Sequence, residues 1–321
     1  MSAKYKHRPA DVPLLAFLLL VGAPWHLNAQ RSHPLDDKLF VAIENNDIVT
    51  AEHLLREGAN LDAKRTNGVT PLMNAAERGS VPLISLFLEN GAHASEEDEQ
   101  RETAISYAAR GGFVRAVNLL AQVSDTKDKN SALFAAVEGG PVGIIEVAGA
   151  PVQSNPLRTQ SAEPEESWTA TVEALLVNGA DIEARNDDGS TPLDWAASFA
   201  QTDILKLLIQ RGAKANVIDK YGNTPLISAA CECAVATMNS AYQAVKILLD
   251  QGADVNARNY DGRTALMMAS GMTGDATVLE LLLNHGADPK AKDHKGQTAF
   301  GLAKQSGRLD KIQILRRVML R

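Results

Sequence analysis

Aromatic residues make up only 5% of the 321-residue chain, and it has just two cysteines, Cys231 and Cys233. So few rings exclude a core built around large aromatic side chains, and Ala, Leu and Val are left to fill small, closely packed helices. Two cysteines exclude a disulfide-rich scaffold. Positive charge is not in surplus either: 32 Lys and Arg stand against 39 Asp and Glu, a formal net charge of −7. Attraction to nucleic-acid phosphates or anionic lipid is therefore not its general mode. No motif matches a phosphate loop, a zinc-protease helix or a nucleophile elbow, and no second cysteine pair or histidine cluster completes a four-ligand metal site. Neither catalysis nor a cofactor is expected. With 45% hydrophobic and 22% charged residues the chain is nonetheless ordinary for a folded protein.

Residues 1–29 read as a secretory signal peptide. Lys4, Lys6 and Arg8 form the positive start, Leu14 to Val21 the apolar centre, and Leu27-Asn28-Ala29 a cleavage site before Gln30. The apolar stretch 12–23 is interrupted by Pro13 and falls short of the roughly 20 residues a helix needs to span a bilayer. Export to the periplasm or the medium is the expectation, with no membrane span after cleavage. If export fails, the chain stays cytoplasmic with its cysteines reduced.

The rest is organised by a period of 33. Thr70-Pro71-Leu72, Thr191-Pro192-Leu193 and Thr224-Pro225-Leu226 recur with the variants Thr103-Ala104-Ile105, Thr264-Ala265-Leu266 and Thr298-Ala299-Phe300; the steps from 70 to 103 and from 191 to 224 are both 33. Thr caps the free amides of a helix start, and Pro beside it sits where no intrahelical donor is needed. Small pairs such as Ala75-Ala76 and Ala196-Ala197 let inner helices approach closely, and ridges such as Leu207-Leu208 mark outer helices. Gly58, Gly91, Gly179, Gly212, Gly252 and Gly286 end those helices. Asp188-Gly189, Tyr221-Gly222, Asp261-Gly262 and Lys295-Gly296 mark turns back to the next Thr.

In these motifs the chain resembles an ankyrin-repeat protein over about residues 35–321, after a short linker at 30–34. The resemblance implies an all-α solenoid of about eight helix-turn-helix units with β-hairpin fingers, whose end units carry polar outer faces. It also implies a protein-binding surface made of finger tips and the exposed face of the inner helices. Carried onto this sequence, that surface comprises Asn67 and Arg78; Asp187, Asp188, Trp195 and Phe199; Lys220 and Tyr221; and Tyr260, Asp261, Met268 and Met272. The large aromatic and sulfur side chains among them are either anchors for the partner or, for some of them, buried between units. The reading is thus an exported, monomeric, non-enzymatic module for a protein partner. A small exported redox or metal-binding factor using Cys231 and Cys233 is the alternative.

Three departures interrupt the period. Thr103 to Ser131 is 28 residues, which predicts an abbreviated finger around 124–129, an inner helix at 132–138 and a weak joint. An insertion at about 141–167, carrying Pro141, Pro151, Pro156 and Pro164, reads either as a tolerated loop or as a partner-binding segment. A shorter insertion lies at about 233–240, next to Cys231 and Cys233, which could be small packed residues, a local disulfide or half of a metal site. At the C-terminus Arg308, Lys311, Arg316, Arg317 and Arg321 read as a basic, solubilising cap.

Overall fold

The computed structural model describes residues 34–140, 167–231, 238–271 and 276–320. Among these residues sixteen helices fall into eight consecutive pairs: α1 (Pro34–Glu44) with α2 (Ile48–Arg56), α3 (Pro71–Glu77) with α4 (Val81–Glu89), α5 (Ala104–Gly111) with α6 (Val114–Leu120), and α7 (Thr126–Gly139) with α8 (Trp168–Val177). They continue as α9 (Pro192–Ser198) with α10 (Thr202–Gln210), α11 (Pro225–Ala230) with α12 (Met238–Asp250), α13 (Ala265–Gly271) with α14 (Thr277–Asn284), and α15 (Ala299–Gln305) with α16 (Leu309–Met319). The odd-numbered helices pack on one another in chain order as an inner layer, and the even-numbered ones from α2 to α14 do the same outside. Each pair touches its neighbours, as in a one-dimensional solenoid. Residues 1–29, Cys233 and Met272, and all of the 141–167 insertion except Ser167, lie outside the described residues.

Local chemistry fixes the start and end of each unit. Thr70, Thr191, Thr224 and Thr298 sit at N-caps in extended conformation, and each accepts from the amide three residues on at 3.2–3.4 Å. Ala75, Ala76, Ala108, Ala109, Ala196, Ala197, Ala229 and Ala230 are all buried between inner helices, where a longer side chain would force the layers apart. At the far end, Gly286 has φ +87°, and a Cβ there would meet no atom within 4 Å. Glycine is required there by the left-handed backbone of the helix stop, not by lack of room.

The expected hairpins are reduced to turns, for the described residues include no strand. Each finger is a five-residue loop closed by two backbone bonds: Arg65 N–H donates to Val69 O, with the same bond from Asp98 to Glu102, Asn186 to Ser190, Asp219 to Asn223, Asn259 to Arg263 and Asp293 to Gln297, all at 2.9–3.2 Å, and the fourth residue's N–H donates back to the first residue's carbonyl, as from Gly222 to Asp219 at 3.1 Å. Both bonds lie within the turn itself and leave no ladder to propagate a strand. An Asp or Asn carboxyl or amide oxygen does the rest. Asp219 Oδ1 accepts from the amides of Tyr221 and Asn223, both at 2.8 Å, and Asp98, Asn186, Asn259 and Asp293 each accept from the corresponding pair. Adjacent fingers are then tied together, as Lys220 N–H donates to Asp188 O, Tyr260 N–H to Tyr221 O and His294 N–H to Asp261 O at 2.9–3.0 Å.

The fourth unit departs from the expectation. Its inner helix α7 begins at Thr126, not near 132, because Asp125 caps it by accepting from Asp128 N–H at 2.8 Å. Extra helical turns occupy the chain that would have formed a finger. Nor is the joint to the third unit weak. Arg110, on α5, donates to Glu102 at 2.6 Å and lies 3.4 Å from Glu138 of α7, its carbonyl accepts from Trp168 Nε1 at 2.9 Å, and Gly139 passes so close that a Cβ would lie 2.1 Å from that carbonyl oxygen. Lys311 also overturns its assignment to a basic cap face. It is fully buried, and its ammonium donates to Ala269 O at 2.7 Å, near the C-terminal end of α13 where a cation is favoured.

Candidate functional site

The finger ladder sets a row of side chains along one edge of the inner layer. Asp188, Lys220 and Tyr221 are clustered there. The Lys220 ammonium pairs with the Asp188 carboxylate and lies 5.2 Å over the Tyr221 ring, whose hydroxyl is 3.5 Å from Asp188 Oδ1. The hydrogen bond from Lys220 holds the Asp188 carboxyl below its ordinary pKa, and the same bond raises that of Lys220. Both groups are about half exposed, so solvent screens the pair and it orients Tyr221 more than it stabilises the fold. Tyr221 is 55% and Tyr260 63% exposed, unusually open for rings in a solenoid this compact. Asp187 and Asp261 are exposed finger-tip acids.

Between the fingers and the inner helices is a hollow of about 220 Å³ lined by Asp188, Asp194, Trp195, Tyr221, Ser228 and Met268, among others. Asp194 is nearly buried on α9, accepts from Ser228 Oγ at 2.7 Å, and has its pKa raised by burial, an effect the hydroxyls of Ser228 and Ser190 oppose. Trp195 and Phe199 are half-buried, not free-standing anchors. Trp195 meets Phe134 edge-to-face at 6.5 Å and Phe199 at 5.2 Å, so each ring is wedged into the inner layer with one edge open. Met268 is likewise half-buried and packs against the core.

The remaining expected residues are more scattered. Asn67 is exposed on the finger before α3, where its carbonyl accepts from Glu99 N–H at 3.2 Å. Arg78 is committed to structure, as it donates to Glu44 O at 3.0 Å. Cys231 sits half-buried at the C-cap of α11 on the rim of the hollow, while Cys233 and Met272 fall outside the described residues. Two features went unread in the sequence. One is Phe134, which falls within the expected 132–138 helix but whose contact with Trp195 of the next unit only the packing shows. The other is a column of Asp or Asn five positions before every repeat Thr except Thr70 (Asp98, Asn186, Asp219, Asn259, Asp293), visible once the repeats are aligned.

The architecture defines a helical repeat solenoid with a finger-lined inner face. A family model described as ankyrin repeats (3 copies) matches residues 39–132, 165–259 and 233–318, and the chain belongs to the ankyrin-repeat family. Ankyrin repeats serve as protein-interaction modules. Among relatives, the chain is 36% identical over 134 residues to the Neurogenic locus Notch protein of Drosophila melanogaster. It is 31% identical over 132 residues to Neurogenic locus notch homolog protein 1 of Mus musculus, and over 143 residues to that of Xenopus laevis. These alignments cover 41–44% of this chain but only 5% of each relative. What is shared is the repeat array.

Proposed function

We propose that this protein is an exported, monomeric, non-enzymatic module that holds a protein partner on its finger tips and inner-helix face. The observation that supports this most is the row Asp188, Lys220, Tyr221 and Tyr260: two open rings and a charged pair, held in register by backbone bonds between successive fingers. A rigid frame presenting aromatic side chains loses little conformational entropy on binding and suits a protein surface. No helix of the described residues is long and apolar enough to cross a membrane.

The test is affinity capture from cell-envelope extract of the producing cell, with the full chain beside a Trp195→Ala, Tyr221→Ala, Tyr260→Ala variant of matched far-UV circular dichroism. A partner retained by the first and lost by the second is the expected result. Equal capture by both would refute the finger-tip site. Cell fractionation tests export: a chain recovered intact in the cytoplasm, with residues 1–29 uncleaved, would refute that part.

A further inference from the structure

At the turn glycines of two regular fingers, Gly68 and Gly222, the next finger leaves no room for a side chain. A Cβ on Gly68 would lie 2.9 Å from Glu99 N, and one on Gly222 would lie 2.8 Å from Tyr260 N, because the next finger's backbone occupies that space. The third unit has Arg101 at this position, with φ +64°. Here no finger follows, since only five residues separate α6 from α7. The space that a neighbouring finger would take is a notch of about 500 Å³ between the finger 98–102 and the finger 186–190, with α7 as its floor, and Arg101 lines it.

Charge in the notch is unevenly satisfied. Arg110 is held by Glu102 and Glu138, and Lys127 donates to Glu97 at 2.6 Å. Among the described residues Arg185 donates only to carbonyl oxygens, of Gly189 at 2.6 Å and Ile218 at 2.8 Å. The exposed Arg101 guanidinium makes no ion pair among the described residues. Against these two cations the notch sets one carboxylate not paired there with a cation, Asp187; since Arg110 faces two carboxylates, the charges named here balance, and what marks the notch is a pair of guanidiniums with no carboxylate partner among the described residues. Its wall also holds Ser106, 1% exposed, whose Oγ has no hydrogen-bond partner among the described residues, and the Phe134 ring, which leads edge-to-face to Trp195 and so to the neighbouring hollow. A left-handed backbone is unfavourable for an arginine and persists only where the surroundings hold it.

We infer that the notch left by the missing finger is the specificity site of the inner face. It takes a carboxylate side chain of an extended partner segment on Arg101 and Arg185, with an adjoining apolar side chain over Phe134 and Trp195. This rests on the finger-side binding reading above and names the chemistry of the partner it takes. Arg101 is the pivotal group, because its fork can bind a carboxylate through two parallel hydrogen bonds.

The experiment pans a displayed random dodecapeptide library on the full chain, then measures the selected peptides by fluorescence polarisation on wild type and on Arg101→Gly, Arg101→Lys and Tyr221→Ala/Tyr260→Ala variants. Glycine is native to this turn in the other fingers, so Arg101→Gly keeps the fold. The expected result is peptides with Asp or Glu enriched at one position. Their affinity should fall about tenfold or more with Arg101→Gly, as for loss of a charged hydrogen bond, and less with Arg101→Lys, and it should weaken as salt rises. Peptides without an acidic position, or affinities unmoved by Arg101→Gly, would overturn the notch. If such peptides still lose affinity with Tyr221→Ala/Tyr260→Ala, the finger-tip reading stands alone. If no peptide is selected, or neither variant matters, the notch proposal fails, and the capture experiment above decides the finger-tip reading separately.

Discussion

Two glycines of equal backbone conformation should differ sharply in what a methyl group costs. Gly286 has φ +87° with nothing within 4 Å of an added Cβ, whereas Gly222 has φ +79° with Tyr260 N at 2.8 Å and Tyr260 Cδ1 at 2.7 Å. Holding an L-residue in the left-handed region costs about 1–2 kcal/mol in both cases. At Gly222 the contact is with backbone, so the finger 259–263 must also move, and the bond from Tyr260 N–H to Tyr221 O at 2.9 Å is lost or stretched. That adds about 1 kcal/mol for the hydrogen bond alone, so Gly222→Ala should destabilise by about 2–3 kcal/mol and Gly286→Ala by about 1–2 kcal/mol. Urea denaturation followed by circular dichroism measures the totals, and hydrogen exchange at the Tyr260 amide measures the local event. Equal losses in the two variants, with unchanged exchange at Tyr260, would refute the claim that fingers are packed backbone against backbone.

The N-caps offer a matched pair of another kind. Thr191 accepts from Asp194 N–H at 3.3 Å, while the Thr103 hydroxyl is buried without a partner. Thr191→Val should therefore lower stability by about 1 kcal/mol, and Thr103→Val should leave it unchanged or raise it; a thermal melt of each variant distinguishes the two. Asp194 predicts a pH effect. Burial raises its pKa in the folded state above 3.8, so the folded chain binds that proton more tightly, and stability falls as pH rises from the unfolded value through the folded one. The asparagine in Asp194→Asn still accepts from Ser228, so its stabilisation over wild type should grow from acid towards neutral pH and then level off. A gain largest in acid would contradict this. Lys311→Ala should cost about 2–4 kcal/mol by opening a cavity and stranding the Ala269 carbonyl, whereas Arg317→Ala, on the exposed face of α16, should stay within about 0.5 kcal/mol. Melting temperatures that move equally would show that Lys311 is not a buried tie.

The repeat was legible because each of its signals has a local cause. Thr-Pro marks a cap, paired Ala a close approach, and Gly a left-handed stop, and none of these needs knowledge of distant parts of the chain. Eight units and their inner and outer helices follow from them. What escaped the sequence depends on a neighbour. The start of α7 was misplaced because Asp125 caps it without the Thr-Pro signature. Lys311 lies in a basic stretch, and only the packing of α16 against the inner layer shows that it is buried. Similarly, Trp195 and Phe199 looked like free anchors because pattern alone assigns a face to a helix position. How far a ring sinks depends on Phe134, one unit away.

The same dependence explains why the irregular unit is the informative one. At Gly68 and Gly222 the backbone of the next finger seals the turn, which leaves glycine the fitting residue there. Removing one finger has two consequences at once: it opens a cleft, and it frees the preceding turn to carry a side chain into that cleft. The structure shows both at a single place, the notch beside α7 and Arg101 at its rim. A tolerated deletion alone would need only the first. Keeping glycine at residue 101 would also have avoided the left-handed strain of an L-residue; in the notch proposal, what the Arg101 guanidinium holds offsets that strain.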